Sequence, residues 1–195
     1  MVDRYYHRPL PTSGPNPFRC QGFVRNGTIL NEDGSALPIE RLPPFLRALL
    51  VTDGTVTKAL EAYFWEPVIV DTLRQECIDA EAEIPWVEVS PGDPVLVREA
   101  LLRGGDSQRH YVRAFSVIRS GLIPASFRER LINREIGIGV LIRDSGLESF
   151  REVMEVGIES APIDGDPALF RTYRIIIDGK PVILISETFP IALYR

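Results

Sequence analysis

The chain contains 195 residues, of which 45% are hydrophobic and 25% are charged, and this composition is typical of a globular protein with one core. Its formal net charge of -5 argues against a general nucleic-acid surface, because binding phosphates requires a basic field. No apolar run approaches the roughly 20 residues of a membrane span, and the N-terminal MVDRYYHRPLPTSG has no apolar segment of the signal-peptide kind. We therefore expect one domain, no nucleic-acid partner, no membrane span and a cytoplasmic location.

The cysteines and histidines show no spacing typical of a metal or redox site. Cys20 and Cys77 lie far apart without a CxxC pattern, which favours reduced thiols. His7 and His110 have no accompanying HxxE or HExxH pattern. The sequence also lacks GxGxxG and GxxxxGKS/T, the motifs that cradle nucleotide phosphates. We therefore predict neither a metal ion nor an organic cofactor.

Residues 1–40 are dense in proline and glycine and show little periodicity. We interpret them as an N-terminal extension of a domain formed by residues 41–195. The extension is expected to wrap the domain or to stay loose, with one short strand around residues 19–24.

The domain alternates between helical and strand patterns. A short helix opens at Pro43-Pro44, because proline is tolerated in a first helical turn, and a second helix follows with Thr55 or Asp53 as its N-cap. Runs of β-branched residues bounded by proline and glycine indicate strands. The expected helices cover 124–133 and 138–143, and the expected strands cover 68–77, 95–102, 111–118, 173–177 and 182–189, with 150–160 fitting a strand better than a helix. Several antiparallel strands with helices between them predict an α+β protein with a single sheet.

Arg98 and Arg113 are the first candidates for a binding site. They lie in PVLVREALLR and QRHYVRAFSVIR, which flank the turn sequence GGDS. If Gly105-Asp106 is a two-residue loop, Arg98 pairs with Arg113 on one apolar face. Like charges placed opposite each other repel, and charge on an apolar face is costly to desolvate, so the pair indicates a bound carboxylate or phosphate. Structural pairing with a Glu or Asp from elsewhere, or a register slipped by one residue, remains an alternative.

Glu187 is the second candidate because it lies inside the very apolar segment PVILISETFPIAL. Counting by two, it shares a strand face with Ile183, Ile185 and Phe189. A buried carboxylate either pairs with a cation or has a raised pKa that suits acid/base chemistry. A structural ion pair with Arg174 on the neighbouring strand is an equally open interpretation.

Five segments occur in the same order as in the chorismate pyruvate-lyase family, which this chain resembles over about residues 42–190. They are LLVTDGTVTKALEA (49–62), VREALL (97–102), VRAFSVI (112–118), IGVLI followed by ESFRE (138–152) and RIIIDGKPVILISETFP (174–190). Members of this family eliminate pyruvate from chorismate and leave 4-hydroxybenzoate. The resemblance implies a six-stranded antiparallel sheet with helical flaps that close over an internal ligand cavity.

The resemblance also implies roles for particular residues. Arg98 matches the family's product-binding arginine, and Glu187 matches its carboxylate in the last strand. Ile138 and Gly139 match a Leu-Gly pair whose backbone lines the site. Val56 occupies the position of a flap residue, often methionine, that covers the ligand in the family. Valine is smaller than methionine, so this part of the flap is smaller here.

The implied mechanism needs no cofactor, because the gain of aromaticity drives the elimination and the protein chiefly binds, orients and excludes water. Arg98 would clamp the ring carboxylate, helped by Arg113. Glu187 would face the oxygen at the opposite ring position, as a proton acceptor or donor or as the group that holds it.

A non-catalytic binding protein is the alternative interpretation. The effector domains of GntR-type repressors resemble the same fold and sense small molecules without chemistry. Residues 1–40 are too few and too rich in proline for a winged DNA-binding segment, so we favour a carrier of an amphipathic anion over a repressor. A fatty acid or prenyl phosphate would then place its head group on Arg98 and Arg113. In either case the expected partner is a small carboxylate or phosphate, and the oligomeric state is not predicted.

Overall fold

The structure is a computed structural model that describes most of the chain. The described residues are 1–10, 27–30, 36–133, 137–163 and 166–195. The strand expected around residues 19–24 and the side chain of Cys20 lie outside them.

A six-stranded antiparallel sheet forms the body of the molecule, beside a small two-stranded hairpin. The strands are β1 (Thr28–Leu30), β2 (Ala36–Pro38), β3 (Val68–Asp79), β4 (Pro94–Gly104), β5 (His110–Ile118), β6 (Ser149–Ile163), β7 (Asp166–Ile177) and β8 (Lys180–Pro190). The large sheet has the order β3-β4-β5-β8-β7-β6. The prediction of an α+β fold with one antiparallel sheet is confirmed, and the ambiguous residues 150–160 form strand.

Among the described residues, four α-helices lie in the connections between strands. They are α1 (Pro44–Val51), α2 (Val56–Phe64), α3 (Ala125–Ile132) and α4 (Ile138–Asp144). Proline opens α1, and Thr55 is the N-cap of α2, as the sequence predicts. None of the helices in the described part of the chain is long and apolar enough to cross a membrane.

The two faces of the large sheet are covered differently. On one face, α1 and α2 pack over one apolar cluster that includes Leu102, and α3 and α4 pack over another that includes Leu96. On the other face, the N-terminal residues cover a third cluster, in which Tyr5 stacks on Phe115 with 6.1 Å between ring centroids. A space between the first two clusters remains on the helical face.

The β4–β5 hairpin has a longer turn than the sequence suggests. The Gly104 N–H donates to the Arg109 carbonyl at 2.9 Å, so the loop between these two residues has four residues instead of two. A register shift between Leu102 and Arg103 then moves the pairing by one more residue, so that Arg98 pairs with Ser116. Because a one-residue shift exchanges the two faces of a strand, Arg113 lies on the opposite face of the sheet, three positions from Ser116. The prediction that Arg98 and Arg113 lie side by side is wrong.

A carboxylate from outside the hairpin explains this longer turn. Glu66 Oε2 accepts the backbone N–H groups of Asp106 and Ser107, each at 2.8 Å, and its Oε1 accepts the Ser107 hydroxyl at 2.7 Å. Together with Tyr111, which also donates to this carboxylate, these bonds hold a wide loop that the local sequence GGDS does not reveal. The hairpin register thus depends on a residue about 40 positions upstream.

Candidate functional site

A cavity lies between the helical face of the sheet and the N-terminal ends of α2 and α4. Its roof is formed by residues 54–57 and 137–139. Its floor comes from same-face neighbours across four adjacent strands of the sheet: Arg98, Ser116, Ile185 and Tyr173. The cavity has a volume of about 70 Å³, whereas a cavity that holds one water has a volume of roughly 10–15 Å³. This space suits a compact ligand.

Arg98 is the cation on the β4 side of the cavity. It is only 3% exposed, and its Nη2 donates to Thr72 Oγ1 at 2.9 Å. A buried guanidinium on a largely apolar floor is a strong binding element for a carboxylate, because charge-assisted hydrogen bonds are stronger where water is excluded. The structure thus brings Arg98 into the candidate site.

Arg113 does not belong to this cavity. Its side chain lies on the opposite face of the sheet, where its Nε donates to Glu99 Oε1 at 2.7 Å. The prediction that it helps Arg98 to hold one anion is wrong, because the register shift between Leu102 and Arg103 exchanges the face on which Arg113 lies. For Arg113, the alternative of a structural acidic partner is the one that the structure supports.

Glu187 faces the cavity from β8, one same-face position beyond Ile185. Its side chain is 8% exposed, and its Oε2 accepts Arg171 Nε at 2.9 Å. The Tyr173 hydroxyl donates to the other oxygen, Oε1, at 3.1 Å. Burial and the charge of Glu187 raise the pKa of Tyr173 well above its ordinary value, so this hydroxyl keeps its proton and remains a donor.

The ion pair expected between Glu187 and Arg174 does not form. The two-residue turn of the β7–β8 hairpin is as expected, but the register shifts between Ile175 and Ile176. This irregularity turns Arg174 to the other face, where its Nε donates to Glu152 Oε2 at 2.6 Å. Arg171 takes the place opposite Glu187 instead.

Arg171 connects the carboxylate to the roof of the cavity. Its side chain is 1% exposed, and its Nη1 donates to the carbonyls of Leu49 and Thr52 at the end of α1. Burial lowers the pKa of Arg171, but the combined electrostatic attraction and hydrogen bonding of Glu187 and Tyr173 outweigh this effect, and the pKa lies above its ordinary value. The Arg171–Glu187 pair therefore ties the loop before α2 to the face of the sheet that lines the cavity.

The roof residues expected from the family resemblance line the cavity. Val56 begins α2, and Ile138 and Gly139 begin α4. Neither helix has a side-chain cap at its N-terminus, and the first backbone N–H groups of a helix have no partner within the helix. A Cβ on Gly139 would lie 3.2 Å from Cγ2 of Thr55, so the two roof segments contact each other closely at this glycine.

Three residues of the site were missed in the sequence: Tyr173 and Arg151, which line the cavity, and Arg171, which pairs with Glu187 beside it. Arg171 and Tyr173 alternate along FRTYR at the spacing of one strand face, a signal that becomes informative only when the hairpin irregularity is known. Arg151 also lines the cavity, from the first part of β6. The sequence around it fits a helix or a strand, so its face could not be assigned.

The sequence of this cavity-bearing domain matches a described family. Residues 50–195 match the family "Chorismate pyruvate-lyase Rv2949c-like". The chain belongs to this family. The resemblance seen in the five sequence segments is thereby confirmed.

Curated members of the chorismate pyruvate-lyase family align with most of the chain. The chain is 32% identical over 175 residues to the chorismate pyruvate-lyase of Mycobacterium leprae (strain TN), an alignment that covers 85% of this chain and 81% of the relative. It is 29% identical over 170 residues to the chorismate pyruvate-lyase of Mycobacterium tuberculosis (strain ATCC 25618 / H37Rv), with 80% and 85% covered.

Solved structures share the fold of this chorismate pyruvate-lyase family member at low sequence identity. PhnF from Mycobacterium smegmatis has a TM-score of 0.56 and 14% identity, with 72% of this chain and 65% of that chain covered. The C-terminal domain of the histidine utilization repressor from Pseudomonas syringae pv. tomato has a TM-score of 0.51 and 14% identity, with 66% and 94% covered. At this identity the likeness shows the fold alone.

Proposed function

We propose that this protein eliminates pyruvate from chorismate and leaves 4-hydroxybenzoate. The observation that carries the proposal is a cavity, in a chain of the chorismate pyruvate-lyase family, that a buried arginine and a buried carboxylate line from the same face of the sheet. The carboxylate is paired with Arg171. Arg98 therefore offers a cation, and Glu187 an acceptor, to a ligand that lies between them.

The separation of Arg98 and Glu187 suits a para-substituted ring acid. Only β5 lies between their strands, so their backbones are about 10 Å apart across the sheet. Both side chains face the cavity and extend into that gap. A ring carboxylate at Arg98 and a ring oxygen at Glu187 would span it.

The chemistry of the substrate explains why such a simple site suffices. Chorismate has a ring carboxylate, a hydroxyl para to it and an enolpyruvyl ether on the neighbouring ring carbon. In the elimination, the bond from the ring to the ether oxygen breaks, and its electron pair leaves with enolpyruvate, which takes up a proton to become pyruvate. The ring carbon that bears the hydroxyl loses its hydrogen as a proton, and the ring becomes aromatic.

The protein would act mainly by holding the reactive arrangement and excluding water. Arg98 and the backbone N–H groups at the starts of α2 and α4 would bind the ring carboxylate. Glu187 would accept a hydrogen bond from the ring hydroxyl, beside the carbon that loses its proton. Val56 would close the roof over the ring. We predict that no metal or organic cofactor takes part.

The test is to mix purified protein with chorismate and follow both products. We expect 4-hydroxybenzoate and pyruvate to appear in equal amounts and faster than in a protein-free control. Glu187→Gln keeps the shape of the side chain and should lower turnover more than it lowers 4-hydroxybenzoate binding. A well-folded protein that releases neither product would refute the proposal.

A non-catalytic carrier is the second candidate function, and the volume of the cavity argues against it. A cavity volume of about 70 Å³ fits one compact ring better than a fatty acid or prenyl chain. Native mass spectrometry of the protein as purified separates the two, because a carrier of an amphipathic anion would retain a lipid. An aromatic acid, or no lipid, is the result that agrees with the lyase.

A further inference from the structure

Arg151 is a second arginine in the same cavity, on the side away from Arg98. It lies in β6, where its register partner on β7 is Ile175, and its side chain is 12% exposed. It lines both the cavity and an adjoining surface groove that also includes Val51 and Phe150. Arg151 therefore lies at the boundary between the enclosed space and the outside.

The hydrogen bonds of Arg151 leave part of its guanidinium available. Its Nη1 donates to the carbonyl of Asp53 and lies 3.3 Å from the Asp53 carboxylate, and its backbone N–H also donates to that carboxylate at 3.1 Å. Its Nε is buried and has no hydrogen-bond partner among the described residues. A buried guanidinium N–H without an acceptor is costly, so a ligand atom that accepts from it would be favoured.

The substrate of the proposed reaction has a feature that the product lacks. Chorismate carries two carboxylates, one on the ring and one on the enolpyruvyl group, whereas 4-hydroxybenzoate keeps only the first. Arg98 accounts for one negative charge. A dianion inside an enclosed cavity needs a second cation, because an unpaired buried charge is strongly disfavoured.

The position of Arg151 agrees with the place of this second carboxylate. Arg98 and Glu187 define the line from the ring carboxylate to the ring hydroxyl, and Arg151 lies beyond this line, two strands past Glu187. Arg151 is also displaced from Glu187 along the direction of the strands. Through Ile175 on β7, Arg151 is in register with Ile183 on β8, and Glu187 lies two same-face positions beyond Ile183. The enolpyruvyl ether is on the ring carbon next to the hydroxyl, so its carboxylate would project towards Arg151.

We propose, on the basis of the lyase function proposed above, that Arg151 binds the carboxylate of the enolpyruvyl group. It is thus a substrate-binding residue that distinguishes chorismate from 4-hydroxybenzoate. Because Arg151 borders the surface groove, the pyruvate that forms is held at the solvent side of the cavity and leaves there, while the ring acid stays on Arg98 until the roof opens.

The test compares substrate kinetics with product binding in variants of the full chain. Arg151→Gln should raise the KM for chorismate about tenfold or more, in line with the loss of hydrogen bonds to a charged group, and should change the Kd of 4-hydroxybenzoate less than threefold. Arg151→Lys should recover part of the chorismate affinity. Arg143→Gln is the matched control, because Arg143 is an exposed arginine on α4, and its KM should equal that of the wild type.

Two outcomes overturn the inference while the lyase function stands. In one, Arg151→Gln turns over chorismate with the wild-type KM. In the other, it loses affinity for chorismate and 4-hydroxybenzoate equally, as expected if Arg151 only holds the Asp53 loop in place. An inactive wild-type protein is a different result, because it refutes the proposed function itself. Retained 4-hydroxybenzoate binding shows that a variant is folded around the cavity.

Discussion

Arg98 and Arg113 have the same charge and lie on neighbouring strands, yet they have different surroundings. Arg98 is buried in the cavity, whereas Arg113 is partly exposed on the other face and paired with Glu99. Their different surroundings thus come from the face of the sheet and not from the residue type. The pair offers an experiment with an internal control.

We predict that Arg98→Ala weakens 4-hydroxybenzoate binding by about 1.5–3 kcal/mol, the range for a hydrogen bond to a charged group. Arg113→Ala removes the same charge from the other face and should leave the affinity within about threefold of the wild type, since this side chain does not line the cavity. Isothermal titration calorimetry measures both. Equal affinity losses in the two variants would contradict the assignment of Arg98 to the site.

The Arg171–Glu187 ion pair makes a prediction about stability. Arg171→Leu leaves a buried carboxylate without its cation, so we expect a loss of about 3–5 kcal/mol in the free energy of unfolding. The double variant Arg171→Leu with Glu187→Leu should be more stable than the single one, because no uncompensated charge remains. Urea denaturation of the single and double variants measures this. A double variant that is less stable than Arg171→Leu would show that the pair contributes more than charge compensation.

At the scale of elements, local signals predicted most helices and strands. The sequence correctly predicts the start of α1 at its proline, the start of α2 after Thr55 and the turn at Asp178-Gly179. These signals are local, because each depends on the residues of the helix start or turn itself. The register of both hairpins was harder to predict. In the β4–β5 hairpin it depends on the loop that Glu66 holds and on a register shift at Leu102, and in the β7–β8 hairpin on a register shift at Ile175. None of these features is visible in the turn sequences.

This explains which parts of the site the sequence revealed. Glu187 lies in a strand whose period-two pattern predicts a buried side chain, and this prediction is correct. Its partner was misassigned, because one inserted residue exchanges the two faces of a strand. Arg151 was missed since its strand depends on pairing with β7 across the sheet.

The Glu66 contact makes the β4–β5 loop sensitive to pH. Hydrogen bonds from Tyr111 and Ser107 lower the pKa of Glu66 from 4.5 to about 2. Between these values the unfolded chain takes up a proton that the folded protein does not bind, so acid favours unfolding. The stability that Glu66 contributes is therefore complete above about pH 4.5 and is lost as the pH falls towards 2.

We accordingly predict that Glu66→Gln is less stable than the wild type at pH 7 and that the difference shrinks as the pH falls from 4.5 to 2. Urea denaturation at a series of pH values measures the two proteins side by side. A difference that stays constant over this range would show that the charge of Glu66 does not stabilise the loop.

At the scale of the whole molecule, the N-terminal residues and the cavity lie on opposite faces of the sheet. Tyr5 is 2% exposed in the cluster that contains Trp86, and the Trp86 Nε1–H donates to the Pro9 carbonyl at 2.8 Å. Arg8 lies 4.6 Å from the centre of a Trp86 ring. This segment therefore stabilises the sheet from behind without contacting the cavity.

We predict that deleting residues 2–10 lowers the free energy of unfolding by on the order of 3 kcal/mol. The deletion removes the buried side chain of Tyr5 and exposes the apolar surface beneath it. The Kd of 4-hydroxybenzoate should stay within about threefold of the wild type at a temperature where the variant is folded. Thermal unfolding and calorimetry test the two parts separately. A selective loss of binding in a stable variant would connect the back of the sheet to the site.

The most direct test of the account is a crystal structure of the protein with 4-hydroxybenzoate. We predict that the ligand lies between the sheet and the starts of α2 and α4, with its carboxylate within hydrogen-bonding distance of Arg98 and its phenol oxygen next to Glu187. A ligand bound outside this cavity, or one whose carboxylate lies away from Arg98, would contradict the central claim.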